Sequence, residues 1–351
     1  MAWDGKREGP IMFERLLAYF SKDLAMDLGT ANTLIYLRGK GVVLNEPSVV
    51  AINQDTHQVI AVGHEARNII GRHGQRVVTI RPLKDGVIAD FEVTSVMIKY
   101  FLTKVLRRRQ FVRPRLVVAV PTGITSVEKR AVIEAAEQAG ARHIHLIEEP
   151  MGAAIGAALP VEQPYGNMIV DIGGGTTEVA VISMFAVAYS ESVRVAGDEA
   201  NEAILRYIQR ERQMVISEVA AENIKMKIGT AVPLEKPESI DITGKEILTG
   251  IPRTFTVTDE EIREAIKEPI EAIVEAVKRG LEKTPPDLAG DIHERGFWLA
   301  GGGALIRGLD KRLHETTNLK VNIAEDPLTA VVRGAGTIIE HLDFYRQVFI
   351  S

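Results

Sequence analysis

Short apolar, strand-like stretches followed by longer stretches of helical period recur along the chain, and this order begins twice. The first apolar stretches, 24–27 and 33–37, flank a turn at 28–32. Strands at 42–44 and 48–52 follow, with Asn45-Glu-Pro47 between them, and then a short one at 59–62. Residues 92–109 are periodic as a helix, and 115–120 is an apolar strand ending at Pro121-Thr-Gly123. Thr125-Ser-Val-Glu128 is a capping box that opens a helix running to Gly140. A strand at 144–147 leads into Glu148-Glu-Pro-Met-Gly152, which opens another helix.

The order restarts at 168–171 and 177–182, around a turn at 172–176. Helices are predicted at 199–213 and 217–229, and 230–257 leans towards strand. Thr258-Asp-Glu-Glu261 caps a long helix with apolar Ile262, Ile266, Ile270, Ile273, Val277 and Leu281, which Pro269 kinks without ending. A buried strand at 297–299 runs into Gly301-Gly-Gly303, and helices fill the remainder. Strands alternating with helices in two similarly started halves predict an internally duplicated α/β fold.

Residues 1–10 are polar and aperiodic, a lead-in. The next ten place Met12, Phe13, Leu16, Leu17 and Phe20 on one helical face. Such a stripe either docks on the protein itself or lies in a lipid interface. No stretch approaches the roughly 20 apolar residues that cross a bilayer, and no secretory signal pattern is present. The expectation is a chain that is neither secreted nor membrane-spanning. A run at 107–115 holds five arginines around Phe111 and Val112. It reads as a solvated helix end and loop, or as a peripheral contact in which cations meet anionic lipid and an apolar tip inserts.

Composition narrows the chemistry. Lys+Arg 42 against Asp+Glu 47 gives a net charge of -5, which argues against a nucleic-acid partner bound over a broad basic surface. Without cysteine, thiolate metal sites and cysteine nucleophiles are excluded. His143 and His145 would share a strand face, but no third metal ligand is evident.

The duplication is sharpest at Asp27-Leu-Gly-Thr-Ala-Asn-Thr33 and Asp171-Ile-Gly-Gly-Gly-Thr-Thr177. One such turn is an ordinary glycine-containing hairpin. Two in matching contexts read as facing phosphate clips, whose glycines let backbone N–H groups approach phosphate oxygens. Asp27 and Asp171 at the strand ends would hold the waters of a Mg²⁺. Gly301-Gly-Gly-Ala304 could carry a nucleoside against the backbone, but it is neither a P-loop nor a dinucleotide fingerprint. Glu148 and Glu149 lie at a strand end, where catalytic carboxylates often sit. As neighbours on an extended segment they point to opposite sides, so they are no facing acid/base pair.

At these residues the sequence resembles the actin–hexokinase–heat-shock ATPase superfamily and, within it, the bacterial actins of the MreB family. The resemblance runs from about Leu24 to the C-terminus. It rests on the two Asp-initiated turns, Asn45-Glu-Pro-Ser-Val-Val50, Arg81-Pro-Leu-Lys-Asp-Gly-Val-Ile-Ala-Asp90, Ile147-Glu-Glu-Pro150 and Ala300-Gly-Gly-Gly-Ala-Leu305. It implies an actin-like ATPase fold, a duplicated pair of α/β domains around a nucleotide cleft, each with a smaller subdomain. Residues 1–23 would be lead-in and amphipathic helix. Residues 24–163 with 333–351 would form the first domain (small subdomain about 51–83), and 164–332 the second (about 200–263).

The resemblance further implies bound ATP and Mg²⁺, ATP hydrolysis, and polymerisation into antiparallel double filaments. These would lie on the inner face of the cell membrane, in the cytoplasm, and organise cell-wall synthesis with wall-synthesis and division proteins. Gly29, Thr30, Ala31, Asn32, Gly174, Gly175, Thr176 and Gly197 would hold the phosphate end. Glu222, Asn223, Ile224, Lys225, Gly302, Gly303 and Ala304 would surround the adenosine. Asp27 and Asp171 would serve the metal waters, and Glu149 and Thr176 the attacking water. Phe111 and Val112 match a membrane-insertion loop. Asn201 stands where the family usually has Asp, Gly152 where Ala is usual, and residues 1–11 extend beyond the usual start. A small-molecule kinase on the same fold is the alternative, though no substrate pocket with a base is evident. A chaperone ATPase would need a substrate-binding domain after the last nucleotide-site helix.

Overall fold

The same five-stranded sheet is built twice. A computed structural model describes residues 23–71, 76–84, 86–106 and 113–350. The first half holds strands β1 (Leu24–Leu28), β2 (Asn32–Leu37), β3 (Gly41–Pro47), β4 (Val50–Asn53), β5 (Val59–Val62), β6 (Val77–Ile80), β7 (Leu83–Lys84), β8 (Val87–Ile88), β9 (Arg115–Val120) and β10 (Arg142–Glu148). Its helices are α1 (His64–Ile69), α2 (Phe91–Leu106), α3 (Ser126–Gln138) and α4 (Glu149–Gly156). The second half holds β11 (Asn167–Ile172), β12 (Thr177–Ser183), β13 (Ala186–Val193), β14 (Met214–Val215), β15 (Ser239–Glu246), β16 (Pro252–Thr258), β17 (Phe297–Ala300) and β18 (Val321–Ile323). With them go α5 (Gly197–Arg212), α6 (Glu218–Ile228), α7 (Asp259–Ala265), α8 (Lys267–Lys283), α9 (Pro286–Arg295), α10 (Leu309–Thr317) and α11 (Ala330–Glu340).

The two large sheets run β10-β9-β1-β2-β3 and β18-β17-β11-β12-β13. In each, the central strand pairs antiparallel with its successor and parallel with a strand that returns through helices. Internal duplication is therefore a property of the topology as well as of the turns. A smaller sheet is carried by each half, β5-β4-β6 by the first and β14-β15-β16 by the second.

Three local expectations change. Asn45-Glu-Pro47 is not a break but the end of β3, because β2 supplies pairing partners through Asn32↔Pro47. The long helix breaks at Ile266, three residues before Pro269. The proline ring would strike the Ala265 carbonyl, so α7 ends there and Pro269 falls in the first turn of α8, where no N–H is needed. The stretch after Gly303 also contains a strand, β18, held parallel to β17. Both predicted capping boxes, at Thr125 and Thr258, are formed.

Each sheet packs one face against its own helices, forming two apolar cores. A third core joins the halves. Ala25, Val117 and Ile147 from the first sheet meet Ile169, Ala180 and Ala300 from the second, with α4 and α11 between them. These two helices cross backbone to backbone at glycines. A methyl on Gly334 would stand 2.7 Å from the Gly152 carbonyl carbon and 2.8 Å from the Gly156 nitrogen. At Gly152 itself an added methyl would lie 3.2 Å from the Val331 carbonyl oxygen, tight but without overlap of that order.

Candidate functional site

In both sheets the central strand carries a run of three fully buried apolar residues and then one carboxylate near its C-terminal end. Asp27 follows the fully buried Leu24, Ala25 and Met26, and Asp171 follows Met168, Ile169 and Val170. Beyond each Asp the chain turns and returns as an antiparallel partner, so Gly29–Ala31 and Gly173–Thr176 sit at the carboxyl ends of the two sheets. These turns face each other closely. A methyl on Gly174 would be 2.6 Å from the Ala31 Cβ.

Each turn is supported from behind. The Ser48 hydroxyl donates to the Gly29 carbonyl at 2.7 Å, and the Gly86 N–H to Thr30 Oγ1 at 3.1 Å. On the other side the first turn of α5 meets the second clip, with the Asp198 N–H donating to the Gly174 carbonyl at 2.8 Å. Lys225 Nζ on α6 donates to the Gly197 carbonyl at 2.6 Å. Gly303 is packed against Ile172, which joins the third glycine segment to the second clip.

Four carboxyl groups share the floor between the clips. Burial, followed by the charge of Asp171, pushes Asp27 up to about 7. Burial alone pushes Asp171 to about 7. Glu178 rises to about 8, chiefly through burial, with the Thr122 N–H pulling it down and Asp171 pushing it up. Glu149 lies well above the usual carboxylate range through burial and then through Glu178, Asp27 and Asp171. Carboxylates crowded in this way gather protons or a cation. Among the described residues no three His, Cys, Asp or Glu side chains converge as a metal cage. The donor set suits a hard divalent cation that keeps its waters and takes few protein ligands, with Asp27 and Asp171 as its charge partners.

Glu148 and Glu149 are separated by a change of element, Glu148 closing β10 and Glu149 opening α4. Of the adenosine candidates, Glu222 pairs with Arg67 and Lys225 bonds Gly197, while Ile224 is packed wholly in the core. Asn223 and Gly302 are exposed, and Gly303 and Ala304 are buried. The expected shared face of His143 and His145 does not form. A bulge interrupts β10 between Arg142 and Ile144, His143 takes a φ of 47°, and His145 stacks on Phe349 at 4.5 Å. Met12, Phe13, Leu16, Leu17, Phe20, Phe111 and Val112 lie outside the described residues.

Sequence reasoning missed the groups that join the halves. Arg67 pairs with Glu222, and Arg81 reaches both Asp198 and Glu218 at 3.3 Å, spanning the mouth between the small sheets' helices. Asn201 lines the same space, and its side-chain carbonyl is buried without a hydrogen-bond partner among the described residues. Asp198, Glu218 and Glu222 already face Arg67, Arg81 and Lys225 there, so a carboxylate at this position would bring a negative charge without a further cation. At the floor, Glu178 accepts the Thr122 N–H at 2.9 Å. Its signal in the sequence was a lone carboxylate opening the apolar run Val179–Ile182.

A family model described as MreB/Mbl protein matches residues 21–347. The chain is 52% identical over 340 residues to the cell shape-determining protein MreB of Escherichia coli (strain K12), covering 95% of this chain and 98% of that one. The crystal structure of MreB5 of Spiroplasma citri bound to AMPPNP matches with a TM-score of 0.88 at 36% identity, over 93% of this chain and 98% of that one. A MamK double helical filament matches in fold, with a TM-score of 0.79 at 21% identity, over 91% of this chain and 99% of that one.

Proposed function

The chain belongs to the MreB/Mbl family and has its actin-like fold, and from that premise we propose that it is a cell-shape-determining ATPase. It binds ATP between the clips, hydrolyses it, and assembles into antiparallel double filaments. These filaments lie on the inner membrane surface, in contact with anionic lipid, and organise wall-synthesis and division proteins. One observation carries the reading: two Gly/Thr turns closing on each other above Asp27 and Asp171. The AMPPNP-bound relative supports nucleotide at this place, and the MamK filament supports assembly of the fold.

The residues take these roles. Backbone N–H groups of Gly29–Asn32 and Gly174–Thr176 hold the phosphates, with α5 and Gly197 behind them. Glu222, Asn223 and Lys225 form one wall for the adenosine, with the predicted Ile224 packed behind them in the core, and Gly302, Gly303 and Ala304 the other. A bound Mg²⁺ would neutralise charge on the phosphates, and Asp27 and Asp171 would orient its waters. Glu149 and Thr176 orient the attacking water, a task of placement and charge stabilisation. The domains divide at 24–163 with 333–351 and at 164–332; the return of the C-terminal segment to the first domain is supported by α11, which packs on β1, β2 and β9 from its start at Ala330. The small-molecule kinase alternative gains no support from relatives named for cell shape.

Among the described residues no helix is long and apolar enough to cross a membrane. We assign membrane contact to the N-terminal stripe and to Phe111 and Val112. Negative-stain microscopy of the protein with Mg-ATP on anionic vesicles is expected to show paired, membrane-bound filaments, absent without nucleotide. Dispersed particles that still consume ATP would overturn the filament reading. Deleting residues 1–20 and changing Phe111 and Val112 to Ser is expected to abolish vesicle co-sedimentation, and undiminished binding would refute the membrane assignment.

The ion pairs at the mouth bear on nucleotide release. Part-exposed pairs are each worth about 0.2–1 kcal/mol, and Arg81 makes two. Arg81→Ala is expected to speed dissociation of a fluorescent ATP analogue by about two- to fivefold, as read by stopped-flow chase.

A further inference from the structure

Glu178 has no part in the reading above, yet it is 1% exposed, lies beside Asp171 between the two sheets, and binds across to the other half. It sits on β12 opposite Asp171 of β11, two residues beyond Thr176. Its partner, Thr122, belongs to the other half, two residues beyond the end of β9. The main-chain N–H of Thr122 donates to Glu178 Oε1 at 2.9 Å, and the Thr122 hydroxyl lies 3.4 Å from Oε2. Strand register relates this bond to the reacting groups. Glu148 pairs with Val120, so Glu149 opens α4 directly beside the segment that carries Thr122.

Glu149 comes from one half and Thr176 from the other, and one water can meet both only if the halves hold a fixed separation at the floor. We infer that Glu178 is a positioning residue for hydrolysis: by accepting the Thr122 N–H across the floor, it holds Glu149 and Thr176 where both reach the same attacking water. This rests on the ATPase reading given above. The carboxyl, buried near the start of β12, is held by the Thr122 N–H from the other half and by Ser192 of its own half, and burial without such partners is costly. Reach matters more than charge, because the donor is a neutral main-chain N–H. Two conservative variants separate these properties. Glu178→Gln keeps an acceptor oxygen at the same reach without the charge, whereas Glu178→Asp keeps the carboxylate and loses one methylene of reach.

The experiment measures steady-state phosphate release from Mg-ATP by the full chain, affinity for a fluorescent ATP analogue, and the melting temperature of each variant. Glu178→Asp is expected to lose roughly tenfold or more in kcat with KM and affinity within about threefold, the signature of misplacement. Glu178→Gln is expected to stay within about threefold of the wild type. Equal rates in all three proteins would overturn the role, as would Glu178→Gln being the slower variant. Parallel loss of affinity and melting temperature in Glu178→Asp would make Glu178 merely structural and overturn it too. A wild-type chain that releases no phosphate would overturn the ATPase reading and this role with it.

Discussion

Glu149→Ala is expected to slow ATP hydrolysis by about 10²-fold while nucleotide affinity stays within a few-fold. The residue opens α4 at the floor between the clips, and its carboxyl is raised by burial and by three neighbouring carboxyls. The phosphate-holding groups are backbone N–H groups on other elements, so removing this side chain leaves binding largely intact. Phosphate-release kinetics beside fluorescent-nucleotide titration check both halves of the expectation. Equal hydrolysis rates for wild type and variant would sink the assignment of Glu149 to the attacking water.

The largest effect on stability is expected at the helix crossing. Gly334→Ala puts a methyl where the backbone of α4 already lies, 2.7 Å from the Gly152 carbonyl carbon. Backbone cannot yield as a flexible side chain can, so the helices must separate in the core that joins the two sheets. A destabilisation of about 3 kcal/mol is expected, seen as a fall of several degrees in Tm by calorimetry. Because α4 carries Glu149, hydrolysis should fall together with stability. A variant that melts with the wild type would show that the crossing is looser than these distances.

Much of this was legible locally. The strands around both clips follow from apolar runs, and the clips follow from an Asp and a Gly/Thr turn placed at equal points in two halves. Capping boxes at Thr125 and Thr258 were readable because donor and acceptor lie three residues apart. The continuation of β3 through Pro47 was not readable, since it depends on pairing with β2. β18 was missed because three residues with a central Asn carry little pattern of their own, and β17 alone defines the strand. The bulge at His143 is likewise set by the register of β9 against β10.

By itself, the sequence determined the strand cores, the two clips and the carboxylates at their strand ends, because periodicity and turn chemistry act over a few residues. Tertiary structure decided which charges share a space. Arg67 meets Glu222 across 155 positions and Thr122 meets Glu178 across 56, pairings that exist only once two sheets are packed on the shared α4 and α11. Electrostatic coupling depends on distance in space, and a chain pattern carries no record of distance between elements that meet only after folding.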